Sequence, residues 1–164
     1  MRKGQAAMEF LMTYGWAILI VVIAVAALAA FGVFNPQRFA QERCVGDSTK
    51  FACASNSIAI DTDTNVLQLD LRNGAGETVN ITGVTASENG DCGVIDQSTG
   101  WEVRMDGSVV DPPELRPNDR FILAVTCAST PSEGGVFDDT FRIQYDVVGG
   151  VTGLHGSIEA VVKT

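Results

Sequence analysis

Hydrophobic and polar positions divide the chain into two parts. From Phe10 to Phe34 no residue is charged, and a helix of that length spans roughly 37 Å, which is enough to cross a lipid bilayer. From Cys44 onward apolar and polar residues alternate, as is typical of strands that bury one face. The pattern predicts an α+β protein in which a long N-terminal hydrophobic α-helix precedes an all-β domain.

The segment NVLQLDLRN, residues 65–73, shows the alternation most clearly, with Leu67, Leu69 and Leu71 on one face. Turn-forming runs rich in Gly, Pro, Asn and Asp separate it from later candidate strands. These candidates are ETVNITGVTA, GWEVRM, RFILAVTC, TFRIQYDVV and LHGSIEAVVK. About seven or eight short strands at such spacing predict a β-sandwich, and helix signals are absent after residue 43.

Asn35-Pro36 follows the hydrophobic segment and predicts a change in the helix there. Proline removes a backbone donor and disfavours helical geometry in the residue before it. Because good helix formers follow in QRFAQERC, we expect either a kinked helix reaching about Arg43 or a break before a short second helix, with a plain loop as the alternative. The predicted division is a helix over 5–43 and a sandwich head over 44–164.

Charge is divided unevenly between these two parts. The 164-residue chain has 11 basic and 20 acidic residues, of which only Arg2, Lys3 and Glu9 lie in the first 34 positions. The remainder therefore holds 9 basic and 19 acidic residues, a net charge of −10, which argues against nucleic acid or anionic lipid as a partner. Basic residues before a membrane span favour a cytoplasmic N-terminus, with the rest of the chain outside the cell.

The four cysteines favour two disulfides over a metal site. They are Cys44, Cys53, Cys92 and Cys127, they form no CxxC pair, and the chain has one histidine, so the ligand spacing of a zinc site is missing. Export from the cytoplasm would supply the oxidising surroundings that disulfides need. Cys44 and Cys53 could close a local loop and leave Cys92 with Cys127, although four cysteines allow three pairings.

Glu9 is a single carboxylate at the start of the apolar segment. A plain membrane anchor gives this carboxylate no role. A cleavable secretion signal could use Ala27-Leu28-Ala29 as its cleavage site, but it explains neither the acid nor the length of the apolar segment. An assembly role does explain it. If a peptidase cuts after Gly4, Gln5 becomes a new N-terminus with a cationic amine of pKa about 8. A carboxylate in an apolar setting costs several kcal/mol unless it is paired, so the Glu9 of one helix could set its register by meeting the amine of a neighbouring helix.

The stretch RKGQAAMEFLMTYGWAILIVVIAV resembles the class III signal peptide and assembly helix of archaeal type IV pilins. That family has a basic residue, a glycine, a new first residue and a glutamate at the fifth position of an apolar helix, and here these are Lys3, Gly4, Gln5 and Glu9. The resemblance implies that residues 1–4 form a prepeptide, which a membrane prepilin peptidase removes by cutting between Gly4 and Gln5.

The resemblance also implies the fold and the partners. It implies an immunoglobulin-like head and a homopolymer through the N-terminal helices, built by a membrane assembly machinery. The precursor would lie in the cell membrane, and the assembled pilus would be extracellular and adhere to surfaces or other cells. It implies no cofactor and no enzymatic activity. An archaellum filament subunit or a minor pilin is an alternative, as is a single-span surface binding protein that never polymerises.

The head contains further motifs, most of which have a simpler structural interpretation. Asn80-Ile81-Thr82 is an N-glycosylation sequon, and Asn80 faces outward if its strand neighbours are buried. The oxygen-rich segment 61–65 resembles the start of a calcium loop but lacks the later glycine and acid, so a polar turn is expected. His155, Ser157 and Glu159 lie at alternate positions of one predicted strand, where neighbours would not converge as a catalytic triad. We therefore expect no catalytic residue and no metal site.

Overall fold

The computed structural model describes residues 3–34, 41–97 and 99–164, except for the side chains of 3–7, 10, 11 and 55–57. The chain divides into two compact units, Met1–Phe39 and Ala40–Thr164. The first contains one apolar helix, and the second is a mostly antiparallel β domain.

Helix α1 comprises Lys3–Ala30, and backbone hydrogen bonds explain where it ends. The N–H of Val33 donates to the carbonyl of Leu28 at 3.1 Å, and the N–H of Gly32 donates to that of Ala29 at 2.9 Å. Gly32 has a φ of 70°, and this combination is the Schellman motif that terminates helices. The helix stops because glycine adopts the left-handed conformation there without a steric penalty.

The expectation of a helix reaching Arg43 is therefore wrong. Residues 31–34 form turns, residues 41 and 42 are irregular, and Arg43 begins a strand. Residues 35–40, which include the predicted kink at Asn35-Pro36, lie outside the described residues.

The described part of the head contains ten strands: β1 Arg43–Gly46, β2 Phe51–Asp61, β3 Val66–Asn73, β4 Val79–Thr85, β5 Trp101–Met105, β6 Ser108–Val109, β7 Glu114–Leu115, β8 Arg120–Thr126, β9 Val136–Val147 and β10 Leu154–Lys163. The six strands predicted from alternation are confirmed as β3, β4, β5, β8, β9 and β10. Strands β1, β2, β6 and β7 were not predicted.

These strands form two five-stranded sheets. The first sheet has the order β1-β10-β9-β4-β7 and the second has the order β2-β3-β8-β5-β6, with neighbours antiparallel throughout. Strands β3 and β9 bury alternate residues, as the period of two predicts, and β8 and β10 do so over part of their length.

Both sheets contribute to one hydrophobic core. Phe51 of β2 makes edge-to-face contacts with Phe121 of β8 and with Tyr145 of β9, with ring centroids 6.0 and 5.2 Å apart. Such contacts add to the free energy of apolar burial because the edge of one ring meets the negative face of the other. Phe51 thus joins the two sheets through the centre of the domain.

Asn73 and Asp139 are the buried polar side chains of the described core. The Asn73 amide donates to three backbone carbonyls and accepts a hydrogen bond from the N–H of Ala75. It therefore closes the turn after β3 without leaving an unsatisfied polar group.

Candidate functional site

Helix α1 exposes an apolar surface from Met12 to Ala30. The span Met12–Ala30 has a mean hydropathy of 2.3 and none of it is buried within the chain. Its length and composition suit a membrane anchor or a signal segment. Exposing an apolar surface of this kind to water is unfavourable.

Gly4 and Gln5, the predicted cleavage position, lie in the first turn of α1. Backbone N–H groups of a first helical turn have no partner within the helix. The bond between these residues therefore lies where unwinding breaks few hydrogen bonds, as a peptidase that must reach the backbone requires.

Glu9 is exposed near the start of α1, between the exposed side chains of Met8 and Met12. Its backbone carbonyl accepts a 2.8 Å hydrogen bond from the Thr13 hydroxyl. No described side chain forms an ion pair with its carboxylate. The charge thus lies on an apolar helix without a described partner in its own chain.

Gly15 has open space where a side chain would lie. A Cβ atom added there would meet nothing within 4 Å among the described residues beyond the backbone of its own helix turn, so nothing in the described structure requires glycine there. Glycine within a helix costs about 1 kcal/mol relative to alanine. Small residues on membrane helices allow close helix–helix approach, and such an approach would have to come from another chain.

The four cysteines form two disulfides in the structure. Cys44 of β1 bonds to Cys53 of β2, with Cα atoms 5.8 Å apart, and so links the first strands of the two sheets. Cys92, in the loop after β4, bonds to Cys127 at the end of β8, with Cα atoms 4.5 Å apart. This is the pairing that sequence spacing favoured among the three possible ones.

Asn80 lies on the outer side of β4, between the buried side chains of Val79 and Ile81. It is half-buried, because Glu114 of β7 and Asp146 of β9 are its direct neighbours across the sheet. Its Oδ1 atom is buried and has no hydrogen-bond partner among the described residues. Asn80 thus points away from the core, as the alternating pattern predicts when its neighbours are buried, while β7 and β9 limit access to its side chain.

The segment 61–65 is a local turn. The Asp61 carboxylate accepts hydrogen bonds from the N–H groups of Asp63 and Thr64 at 3.0 and 3.3 Å. Hydrogen bonds from Thr64, through its side chain and its backbone, and from the backbone of Asp63 lower the pKa of Asp61. Asn65 then adopts a positive φ of 55°, which asparagine tolerates well.

His155 and Glu159 lie on the outer side of β10 and do not form a catalytic arrangement. Glu159 pairs with Arg43 of β1, and His155 is exposed. No group of three or more His, Cys, Asp or Glu side chains suited to a metal ion occurs in the described part of the chain.

Asp139 is a residue that sequence reasoning missed. It lies on the inward side of β9, between Phe137 and Phe141, and is 2% exposed. Its carboxylate accepts hydrogen bonds from the N–H groups of Ser87 and Cys92 at 3.1 and 2.9 Å. The sequence signal available for it was an acid at a position of the strand where the alternating pattern predicts a buried apolar residue.

Comparison of the chain with known protein families and with curated protein sequences finds no match.

Proposed function

We propose that this protein is a structural pilin subunit that polymerises through α1 into an archaeal type IV adhesion pilus. The observation that carries the proposal is the apolar helix itself. Met12–Ala30 is unburied and follows a lone exposed carboxylate, Glu9, which has no described ion-pair partner. Lys3, Gly4 and Gln5 precede that acid at the spacing of a prepilin processing signal.

Assembly follows from the physical needs of this helix. In the membrane, lipid covers α1 and the head lies outside the cell. Removal of residues 1–4 creates a cationic amine at Gln5. In a bundle of such helices, the carboxylate of Glu9 pairs with the amine of a neighbouring chain, and a wrong axial offset leaves both charges unpaired in an apolar setting. Small residues such as Gly15 permit the close helix contacts of a filament core.

The head supports the proposal through its strand order. Immunoglobulin constant domains have sheets of order ABED and CFG. Here β2-β3-β8-β5 corresponds to A-B-E-D and β10-β9-β4 corresponds to G-F-C. Strand β1 extends one sheet, and the short β6 and β7 are additional. The head departs from antibody domains in its disulfides, neither of which joins β3 to β9.

Isolation of surface filaments followed by N-terminal sequencing tests the proposal directly. We expect the filaments to contain this chain with Gln5 as its first residue. A chain that retains residues 1–4 and occurs only as dispersed membrane protein would refute the proposal and favour a single-span surface protein. An archaellum subunit would instead yield filaments whose loss abolishes swimming but leaves attachment intact. A minor pilin would occur at a small fraction of the main subunit.

A further inference from the structure

The outer side of the second sheet carries two arginines side by side. Arg72 of β3 lies directly opposite Arg120 of β8. Arg120 is paired with Asp70, whose carboxylate accepts hydrogen bonds from Nε at 2.8 and 3.0 Å, and this pairing raises the pKa of Arg120. Arg72 is exposed and forms no ion pair with any described residue. Like charges opposite one another destabilise a sheet, so Arg72 is suited to an anion from outside the chain.

A surface pocket lies at this arginine pair. It has a volume of about 370 Å³ and is lined by Cys53, Ala54, Arg72 and Arg120. Its described lining therefore combines two small side chains of β2 with two arginines. A small aliphatic group together with a carboxylate matches this lining.

The head itself displays such a group on the loop after β4. Val94 is 88% exposed, whereas Ile95 beside it is 5% exposed and packs in the core. Exposed Glu88 and Asp91 lie in the same loop. The loop thus carries an exposed aliphatic side chain and two exposed acids, a combination that complements the arginine pocket in charge.

The structure holds residues 87–92 of this loop firmly. The buried Asp139 carboxylate binds the backbone N–H groups of Ser87 and Cys92, and Cys92 is bonded to Cys127. A Cβ atom at Gly90 would lie 2.1 Å from the Asp139 carboxylate, so the backbone there is packed directly on the acid. A loop fixed before binding loses little conformational entropy when it docks.

One head cannot bring these two features together. The loop is bonded to Cys127, next to the position where Thr126 pairs with Val66 at one end of β3. The pocket lies at the other end, where Arg72 pairs with Arg120. Six residues of extended strand separate the two ends by about 20 Å. Contact between them therefore requires two copies of the chain.

We propose that the loop carrying Val94 docks into the Arg72–Arg120 pocket of a neighbouring copy. Val94 packs against Ala54 and Cys53 of the neighbour, and the carboxylate of Glu88 pairs with Arg72. The inference rests on the proposed function, because it assigns a head-to-head contact within the polymer. A contact between two different surfaces repeats from copy to copy and extends along a filament.

Charge reversal in the full-length protein tests the contact. Arg72→Glu and Glu88→Arg should each raise the concentration of unassembled subunit about two- to five-fold, as expected for loss of an exposed ion pair. The double variant should return towards the wild-type value. Glu77→Arg, at an exposed position in the turn after β3, is the matched control and should have no such effect. Equal assembly of all four variants would overturn the inference.

A second pair of variants separates docking from folding. Val94→Ala should weaken assembly, whereas Val151→Ala, which truncates another exposed valine, should not. Thermal unfolding of dissociated subunits should be the same for both. A lower unfolding temperature for Val94→Ala alone would indicate a structural role and overturn the inference.

Cross-linking locates the contact. In filaments of the Arg72→Lys variant, a carbodiimide should join the amine at position 72 to Glu88 of another copy, and mass spectrometry should identify the linked peptides. Filaments that form without this link would overturn the head contact and leave the pilin proposal standing. A wild-type chain that forms no filaments would overturn both.

Discussion

The two disulfides should contribute unequally to the stability of the head. Cys92 and Cys127 are 35 residues apart, whereas Cys44 and Cys53 are 9 apart. A cross-link restricts the unfolded chain more when it closes a longer loop, and the loop-entropy relation gives about 3.8 kcal/mol for the long loop and about 2.6 kcal/mol for the short one. Burial should widen this difference, since Cys92 is fully buried and Cys44 is only half-buried.

The comparison requires paired alanine variants of the full chain in detergent. We expect Cys92→Ala with Cys127→Ala to lower the unfolding temperature of the head by about 15 °C, and Cys44→Ala with Cys53→Ala to lower it by about 10 °C. Circular dichroism of the β signal during heating measures both. A mild reductant should also open the half-buried disulfide first. A larger loss from the Cys44–Cys53 pair would refute the reasoning from loop length and burial.

Three further outcomes are expected. Glu9→Leu should leave the protein in the membrane but abolish the filaments seen by electron microscopy. Glu9→Asp keeps the charge and should retain more filaments. Abundant filaments from Glu9→Leu would contradict the pairing of Glu9 with an amine. Gly4→Val should give a chain whose mass retains residues 1–4. Turn hydrogen bonds hold the pKa of Asp61 below its ordinary value of 3.8. The stabilising effect of its carboxylate should therefore be present above that pH and lost as the pH falls through the folded-state pKa. The free energy of unfolding of Asp61→Asn should depend less on pH below 3.8 than that of the wild type, and an equal dependence in both proteins would contradict this.

Sequence patterns predicted the elements whose side chains alternate regularly. Strand β3 was clear because Leu67, Leu69 and Leu71 face the core without interruption. Strand β2 was missed because its pairing with β3 shifts register between Cys53 and Ile58, so that its sequence has no steady period of two. Strands as short as β6 and β7 carry too few residues for any period to be recognised.

Sequence patterns did not predict where α1 ends or how the loop after β4 is held, and the reason is a different one. The left-handed backbone of Gly32 ends α1 through hydrogen bonds that composition does not reveal. Asp139 lies at a buried position of β9. Its role depends on the loop after β4 folding back over β9, and that long-range contact leaves no local pattern.

Two kinds of position can be distinguished in the described part of this chain: those that the fold of one copy accounts for and those that it does not. Within the head, the buried polar side chains Asn73 and Asp139 have their hydrogen bonds supplied by nearby backbone, so they are accounted for by the fold of one copy. The fold of one copy does not explain three other positions. Glu9 on α1 and Arg72 on the head are charged residues with no described ion pair. Gly15 on α1 has open space where a side chain would lie. Glycine within the helix costs a single copy free energy, and the two charges are left available to a neighbouring chain, which is why these positions carry the assembly proposals.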